Sequence, residues 1–232
     1  MKVTKHGAYT YKLTRLGLMN CFLVENDYDL YLVDANLPNS ADAILKAAAD
    51  IGKPITKILL THAHADHVGS VDELVTKLTQ VDLVTTQNMA AFMQGNFTLP
   101  AGDQGAVKAS NFPRVNSIPT QLIKNGDKVG SLIVVDSPGH TRNHISWFDE
   151  RDQTIYCGDS WQSAGGVAVM GDIRWLFPLP VYATWSKQVS LQSAAETLKL
   201  SPNRLCCGHG KVVENALPIM QAAYERAKAK IK

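Results

Sequence analysis

The sequence predicts a single α/β domain of mixed sheets with helices on the outside, spanning residues 1–232. Three observations lead there. β-rich runs and helical stretches alternate along the chain. The composition, 45% hydrophobic and 19% charged, is that of a globular protein and not of a disordered one. Chemically rich polar clusters also recur where strands end, as expected of a site built on loops over a rigid scaffold. A chain of 232 residues can bury a large core without disulfide staples. It carries no repeat, low-complexity tract or linker-like stretch that would divide it.

Taken in order, Tyr9–Leu13, Asn20–Glu25 and Leu30–Asp34 read as strands, with Asn26-Asp27 turning the chain between the last two. Ser40 is placed to cap a helix over Ala41–Ile51, which Gly52 stops and Pro54 seals. Ile58–Leu60 is a short buried strand, and a helical stretch from Val68 to Leu78 leads to a strand at Val81–Thr85. Residues 94–116, with two prolines and three glycines, read as a loop or insertion. Leu132–Val135, Ile145–Phe148 and Thr154–Cys157 are strands. Residues 160–182 are apolar but interrupted by Gly165, Gly166, Gly171, Pro178 and Pro180, the pattern of a functional loop. Helices over Thr184–Leu198 and Leu217–Lys230 flank a last strand at Arg204–Cys207.

Charge and cysteines narrow the function. The net charge is +2, with basic and acidic residues interleaved, so binding to nucleic acid through phosphate neutralisation is not expected. No run approaches the ~18 apolar residues of a membrane span, and the first twelve residues lack the apolar core of a signal peptide. Cys21, Cys157, Cys206 and Cys207 form no CxxC pair and no disulfide framework. They read as buried, inert thiols of a reducing, cytoplasmic setting.

The informative segment is Thr61-His62-Ala63-His64-Ala65-Asp66-His67, directly after a strand. Neutral imidazole is the commonest metal ligand, and a carboxylate adds charge neutralisation. Chance yields this string in about four of ten thousand chains of the same composition. Three further candidates follow predicted strands: His140 in Ser-Pro-Gly-His-Thr, Asp159 in Cys-Gly-Asp-Ser and His209 in Cys-Gly-His-Gly. The glycines allow sharp turns that let these side chains converge. The candidates are seven in all: His62, His64, Asp66, His67, His140, Asp159 and His209. One tetrahedral ion with an open position needs three protein ligands, so seven suit two ions that share a carboxylate.

In this order and spacing the residues resemble the metallo-β-lactamase superfamily, in its glyoxalase II-like and acyl-homoserine lactonase-like branch. The resemblance covers nearly the whole chain, from Asp34 to Gly-His209-Gly. It implies an αββα four-layer sandwich of two mixed sheets with helices outside. It places His62, His64 and His140 on one metal, Asp66, His67 and His209 on a second, and Asp159 between them. It also gives Asp66 the role of moving a proton at the bridging water. Asp34 matches an aspartate that supports the site from behind its ligands, and His144 is expected in a structural or supporting role. Zinc is the expected metal, although the same donors accept manganese, iron or cobalt.

Two such ions make a bridging water nucleophilic and polarise a carbonyl, which suits a hydrolase of esters, lactones or thioesters. Phe92 before the insertion and Trp161, Trp175 and Phe177 on the second loop are candidate walls of an apolar pocket for an acyl group, or a contact between two copies of the chain. Tyr182 could orient a carbonyl. The expected partner is a small-molecule substrate of a monomer or homodimer. Only 23 residues follow His209, too few for the helical substrate domain of glyoxalase II. His64 stands where the flavo-diiron members carry a glutamate. The alternative reading is an oxidoreductase like the persulfide dioxygenases, with a single iron. A non-catalytic member would show a broken ligand set, and none is broken here.

Overall fold

The computed structural model describes residues 1–98 and 112–231. Within the predicted 94–116 loop, residues 99–111 lie outside the described residues. The first half holds β1 (Lys2–His6), β2 (Thr10–Arg15), β3 (Met19–Glu25), β4 (Leu30–Val33), α1 (Ala41–Ile51), β5 (Ile55–Leu59), α2 (Ala65–Val68), α3 (Val71–Lys77), β6 (Asp82–Thr86), α4 (Gln87–Met93) and β7 (Gln121–Ile123). The second half holds β8 (Lys128–Val129), β9 (Leu132–Asp136), β10 (Ile145–Asp149), β11 (Thr154–Tyr156), β12 (Trp161–Gln162), β13 (Ala168–Val169), α5 (Leu179–Tyr182), α6 (Lys187–Lys199), β14 (Arg204–Cys206), β15 (Val213–Glu214) and α7 (Ala216–Lys230).

Each half builds one sheet. The first runs β1-β2-β3-β4-β5-β6-β7, antiparallel up to β4 and parallel from β4 onward. The second runs β15-β14-β11-β10-β9-β8, and β12 and β13 form a small ribbon beside it. Parallel neighbours need crossovers, which α1 supplies between β4 and β5, and α2 with α3 between β5 and β6. The period-two alternation of strand side chains sorts the second sheet into two faces. Trp147, Tyr156 and Cys206 enter the core shared with the first sheet, while Ile155, Cys157 and Leu205 face Ala194 of α6 and Met220 and Ala223 of α7. The layers are therefore helix, sheet, sheet, helix, the expected αββα sandwich. Burying each large aliphatic side chain in such a core contributes about 1.5–3 kcal/mol. Trp147, buried between the sheets, also donates its indole N–H to the Leu60 carbonyl at 3.2 Å, tying β10 to the loop after β5.

Several boundaries differ from the sequence reading for identifiable reasons. The stretch expected as one helix over 68–78 is two, broken at Gly69-Ser70. A Cβ at Gly69 would lie 2.4 Å from the Pro38 nitrogen, and the Ser70 hydroxyl donates to the Leu37 carbonyl at 2.8 Å. Ser40 occupies the N-cap position of α1, but its hydroxyl accepts from Arg15 at 2.7 Å and makes no capping bond. Gly52 closes α1 as expected, with φ of 86°. α6 starts at Lys187 because the Ser186 hydroxyl accepts from the Val189 amide, while Trp185 and Ser186 donate their amides to His140 and Gly139.

Candidate metal centre

The site lies where one end of each sheet meets the other. β4 and β5 are parallel, so Asp34 and the His62–His67 segment leave the first sheet side by side. β11 and β14 are parallel, and β9 shares their direction through two antiparallel steps, so His140, Asp159 and His209 leave the second sheet at one edge. Asn20 of β3 joins the two sets. Its amide donates to the Gly208 carbonyl at 2.8 Å, and its side chain donates to Cys207 and Gly210 at 3.0 and 2.9 Å. Two glycines are required by close approach. A Cβ at Gly158 would meet Thr61 Oγ1 at 2.4 Å, and one at Gly208 would meet Asp159 Oδ1 at 2.5 Å.

The structure brings all seven candidate ligands together. Among the described residues, His62, His64 and His140 form one group whose ligand atoms lie within 4.8 Å of one another, and Asp66, His67 and His209 form another. In the first, His64 Nδ1 is 3.2 Å from His62 Nε2 and 3.0 Å from His140 Nε2. In the second, Asp66 Oδ2 is 3.2 Å from His209 Nε2 and 3.8 Å from His67 Nε2. Asp159 stands between them, with Oδ2 3.5 Å from His140 Nε2 and 3.2 Å from His209 Nε2.

The surrounding hydrogen bonds orient the imidazoles inward. Asp34, held at φ of 61°, takes His67 Nδ1–H at 2.7 Å and the Thr61 hydroxyl at 2.8 Å. With its proton on Asp34, the Thr61 hydroxyl accepts from His62 Nδ1–H at 3.1 Å. Thr184 gives its proton to the Pro180 carbonyl at 2.8 Å and accepts from His140 Nδ1–H at 3.3 Å. In all three cases Nε2 is turned into the centre, as in the carboxylate–histidine pattern of metal sites. His144 is not one of these donors. Its Nε2 accepts the Asp159 amide at 3.0 Å, so its Nδ1–H donates to Ser137 at 2.9 Å. Thr61, Ser137 and Thr184 have no sequence signature; only their place in space gives them a role.

Electrostatics divide the histidines into two sets. Burial drives His62, His64, His140 and His144 toward the neutral form, His64 to about 3 and His140 to about 4. Burial opposes the charge on His67 and His209 as well, but the carboxylates win there. Asp34, Asp66 and Asp159 hold His67 well above its usual value, and Asp159 with Asp66 raises His209 to about 10. Burial would raise Asp66, yet His67 and His209 bring it down to about 2. In the second group protonated His67 and His209 balance the carboxylates, a place that a bound cation would take over. His67 Nε2 and Asp159 Oδ1 are buried with no hydrogen-bond partner, which fits a centre meant to hold divalent cations. Asp66 is the ligand candidate most open to solvent, with 24% of its side chain exposed.

Of the expected pocket residues, Phe92 and Phe177 lie near the centre. Phe92 packs edge-on against Phe112 at 5.3 Å, and the Phe112 ring lies 4.9 Å from that of His64. The Phe177 ring is 5.2 Å from that of His209. Trp161, expected on a pocket wall, is fully buried against Val169 and Ala194 and donates to Thr197 at 3.1 Å, so it belongs to the core beneath the loop. Trp175, expected there as well, is 82% exposed and lines a cavity with Gly171, Lys187 and Lys230, away from the histidines. Tyr182 is 65% exposed on α5, and Thr184, two residues on, makes the contact to His140. Cys157 and Cys207 are buried directly before the Asp159 and His209 turns, with Sγ atoms 3.5 Å apart.

A model of the metallo-beta-lactamase superfamily matches residues 15–209. The chain is 37% identical over 211 residues to the uncharacterized protein YobT of Bacillus subtilis (strain 168), covering 90% of this chain and 91% of that one. It is 25% identical to the probable metallo-hydrolase YflN of the same organism, over 81% of this chain and 78% of that one. It is 29% identical to a hydroxyacylglutathione hydrolase of Aliivibrio salmonicida over 60% of this chain, but spans only 45% of that relative. Among solved structures, the DIM-1 metallo-beta-lactamase aligns with a TM-score of 0.72 at 14% identity, covering 98% and 97% of the two chains. BJP-1, a subclass B3 metallo-beta-lactamase of Bradyrhizobium japonicum, aligns at 0.68 and 18% identity, covering 99% and 93%. At these identities the likeness concerns the fold.

Proposed function

The chain belongs to the metallo-β-lactamase superfamily and is a hydrolase of that family, and we propose that it holds two divalent cations and hydrolyses an ester, lactone or thioester with an apolar acyl part. The observation that carries this reading is the pair of three-ligand groups with Asp159 between them. Zinc suits the histidine-rich donor set.

Bound cations would supply a nucleophilic water at neutral pH and Lewis acidity toward a carbonyl oxygen. The protein's own residues account for the rest. His62, His64 and His140 are kept neutral by burial and offer lone pairs rather than protons. Asp66, reached by solvent within the second ligand group, is placed to pass a proton between the reacting centre and the leaving group. Phe112, backed by Phe92 and Phe97, forms an apolar wall beside His64 where an acyl chain would lie. The relative named hydroxyacylglutathione hydrolase favours a thioester among the three classes.

The test is a panel of acyl thioesters, lactones and aryl esters, assayed with chelated protein and with protein reloaded with zinc or manganese. Metal-dependent turnover that rises with acyl length is expected. Equal inactivity of the chelated and reloaded forms on the whole panel would contradict the reading.

A further inference from the structure

Beyond His209 the chain opens into a groove of about 690 Å³. One wall is the β1–β2 hairpin. Its register pairs Lys2 with Thr14 and Thr4 with Lys12, so both lysines stand on the same face. The other wall carries Leu176 and Phe177, and the floor is Gly210-Lys211, immediately after His209. The Phe177 ring that borders the groove is packed 5.2 Å from the His209 ring, so one aromatic side chain stands between the groove and the second ligand group.

The charge in this groove is one-sided. Lys2, Lys12 and Lys211 line it, and no carboxylate does among the described residues. Among the described residues none of the three lysines forms an ion pair there, although most other described lysines sit against Asp or Glu, as Lys5, Lys53 and Lys57 do. Lys12 is half-buried, and its ammonium has one long bond, 3.4 Å to the Gly210 carbonyl. Burial, with Lys2 and Lys211 nearby, lowers its proton affinity. Three unpaired cations facing one concave space repel each other, and an anion between them would relieve that repulsion.

We propose that this groove is a subsite for a carboxylate or phosphate group of the substrate, so that the protein prefers acyl substrates carrying an anionic arm on the His209 side. The inference rests on the proposed hydrolysis for its kinetic consequence only. The acyl part then lies toward Phe112 and the anionic arm toward Lys12 and Lys211, with the scissile carbonyl between. The near-neutral net charge favours a small anion over a polyanion.

The test uses metal-loaded protein and the double variant Lys12→Gln/Lys211→Gln, both checked for equal metal content. Calorimetric titration with methyl phosphate and with acetate reads the groove directly and tells phosphate from carboxylate. Saturable binding of one anion, weakened at least about tenfold in the variant, is expected. Weak binding that is identical in both proteins overturns the proposal. In kinetics, the acetyl thioester of mercaptosuccinate is compared with that of mercaptoethanol. The variant should raise KM about tenfold for the anionic thioester, leave its kcat in place and leave the neutral thioester unaffected. Equal loss on both thioesters, or no preference in the unaltered protein, overturns it as well. Absence of any turnover would sink the hydrolase reading alone, since the anion titration still decides the subsite.

Discussion

Asp34 shows how much of the site rests on a residue that does not itself face the metal positions. Its carboxylate fixes His67 directly and His62 through Thr61. Replacing it by Ala leaves both imidazoles free to turn, and metal affinity should fall roughly 10–100-fold, measured by competition with a chromogenic chelator. Protonation gives a second expectation. In metal-free protein His209 binds its proton up to about pH 10, against an ordinary value of 6.5, so its contribution to stability is complete below 6.5 and fades as pH rises toward 10. His64 and His140 act oppositely. Their folded values of about 3 and 4 lie below 6.5, so their contribution is complete above 6.5 and fades as pH falls toward 3. Thermal melts of chelated protein should therefore weaken on both sides of about pH 6.5. Metal uptake near pH 8 should release protons from His67 and His209, seen as a dependence of the calorimetric heat on the buffer's ionisation enthalpy. The ligand types were legible in the sequence because histidines and aspartates this dense are improbable by chance. Thr61 and Thr184 were not, since a threonine signals a hydrogen bond only once its partner is in place.

Strand ends carry the chemistry of this fold. Each ligand loop leaves a strand and turns at once, and Gly158 and Gly208 permit this by lacking a Cβ. Gly208→Ala would push a methyl against Asp159 and His67, so it should lower metal content and activity by more than tenfold while the circular dichroism of the sheets stays the same. The principal strands were readable from β-branched and alternating runs. β1 was not, because Lys2, Val3, Thr4, Lys5 and His6 bury little and owe their strand form to pairing with β2. α4 was also missed, as seven residues give too short a period. The second loop misled most. Its aromatic residues suggested a pocket wall, yet Trp161 went to the core, Trp175 to the surface and only Phe177 to the site. Composition says that a loop is apolar, but with left-handed turns at Gly165, Gly166 and Gly171 it has no period from which to read the side each residue takes.

The whole molecule is a clamp with two jaws, each a sheet supplying part of one centre. The first sheet contributes His62, His64, Asp66 and His67, and the second His140, Asp159 and His209. Metal bound between them cross-links the halves, so saturating zinc should raise the melting temperature. The gain is about 2.7 kcal/mol at a hundredfold excess over the dissociation constant. Chelation should remove that gain without unfolding the shared core of Leu23, Leu32, Ile58 and Trp147, which does not depend on the site. Among the described residues, no helix is long and apolar enough to cross a membrane. Whether the two ligand groups act as one dinuclear centre is decided by counting metal. The most direct measurement is metal content per chain by elemental analysis, taken alongside hydrolysis as metal is returned to chelated protein. A dinuclear centre should return close to two equivalents of a divalent metal, with activity that completes only as the second is bound. A single tightly held ion that gives full activity, with no second equivalent taken up in excess metal, would contradict it.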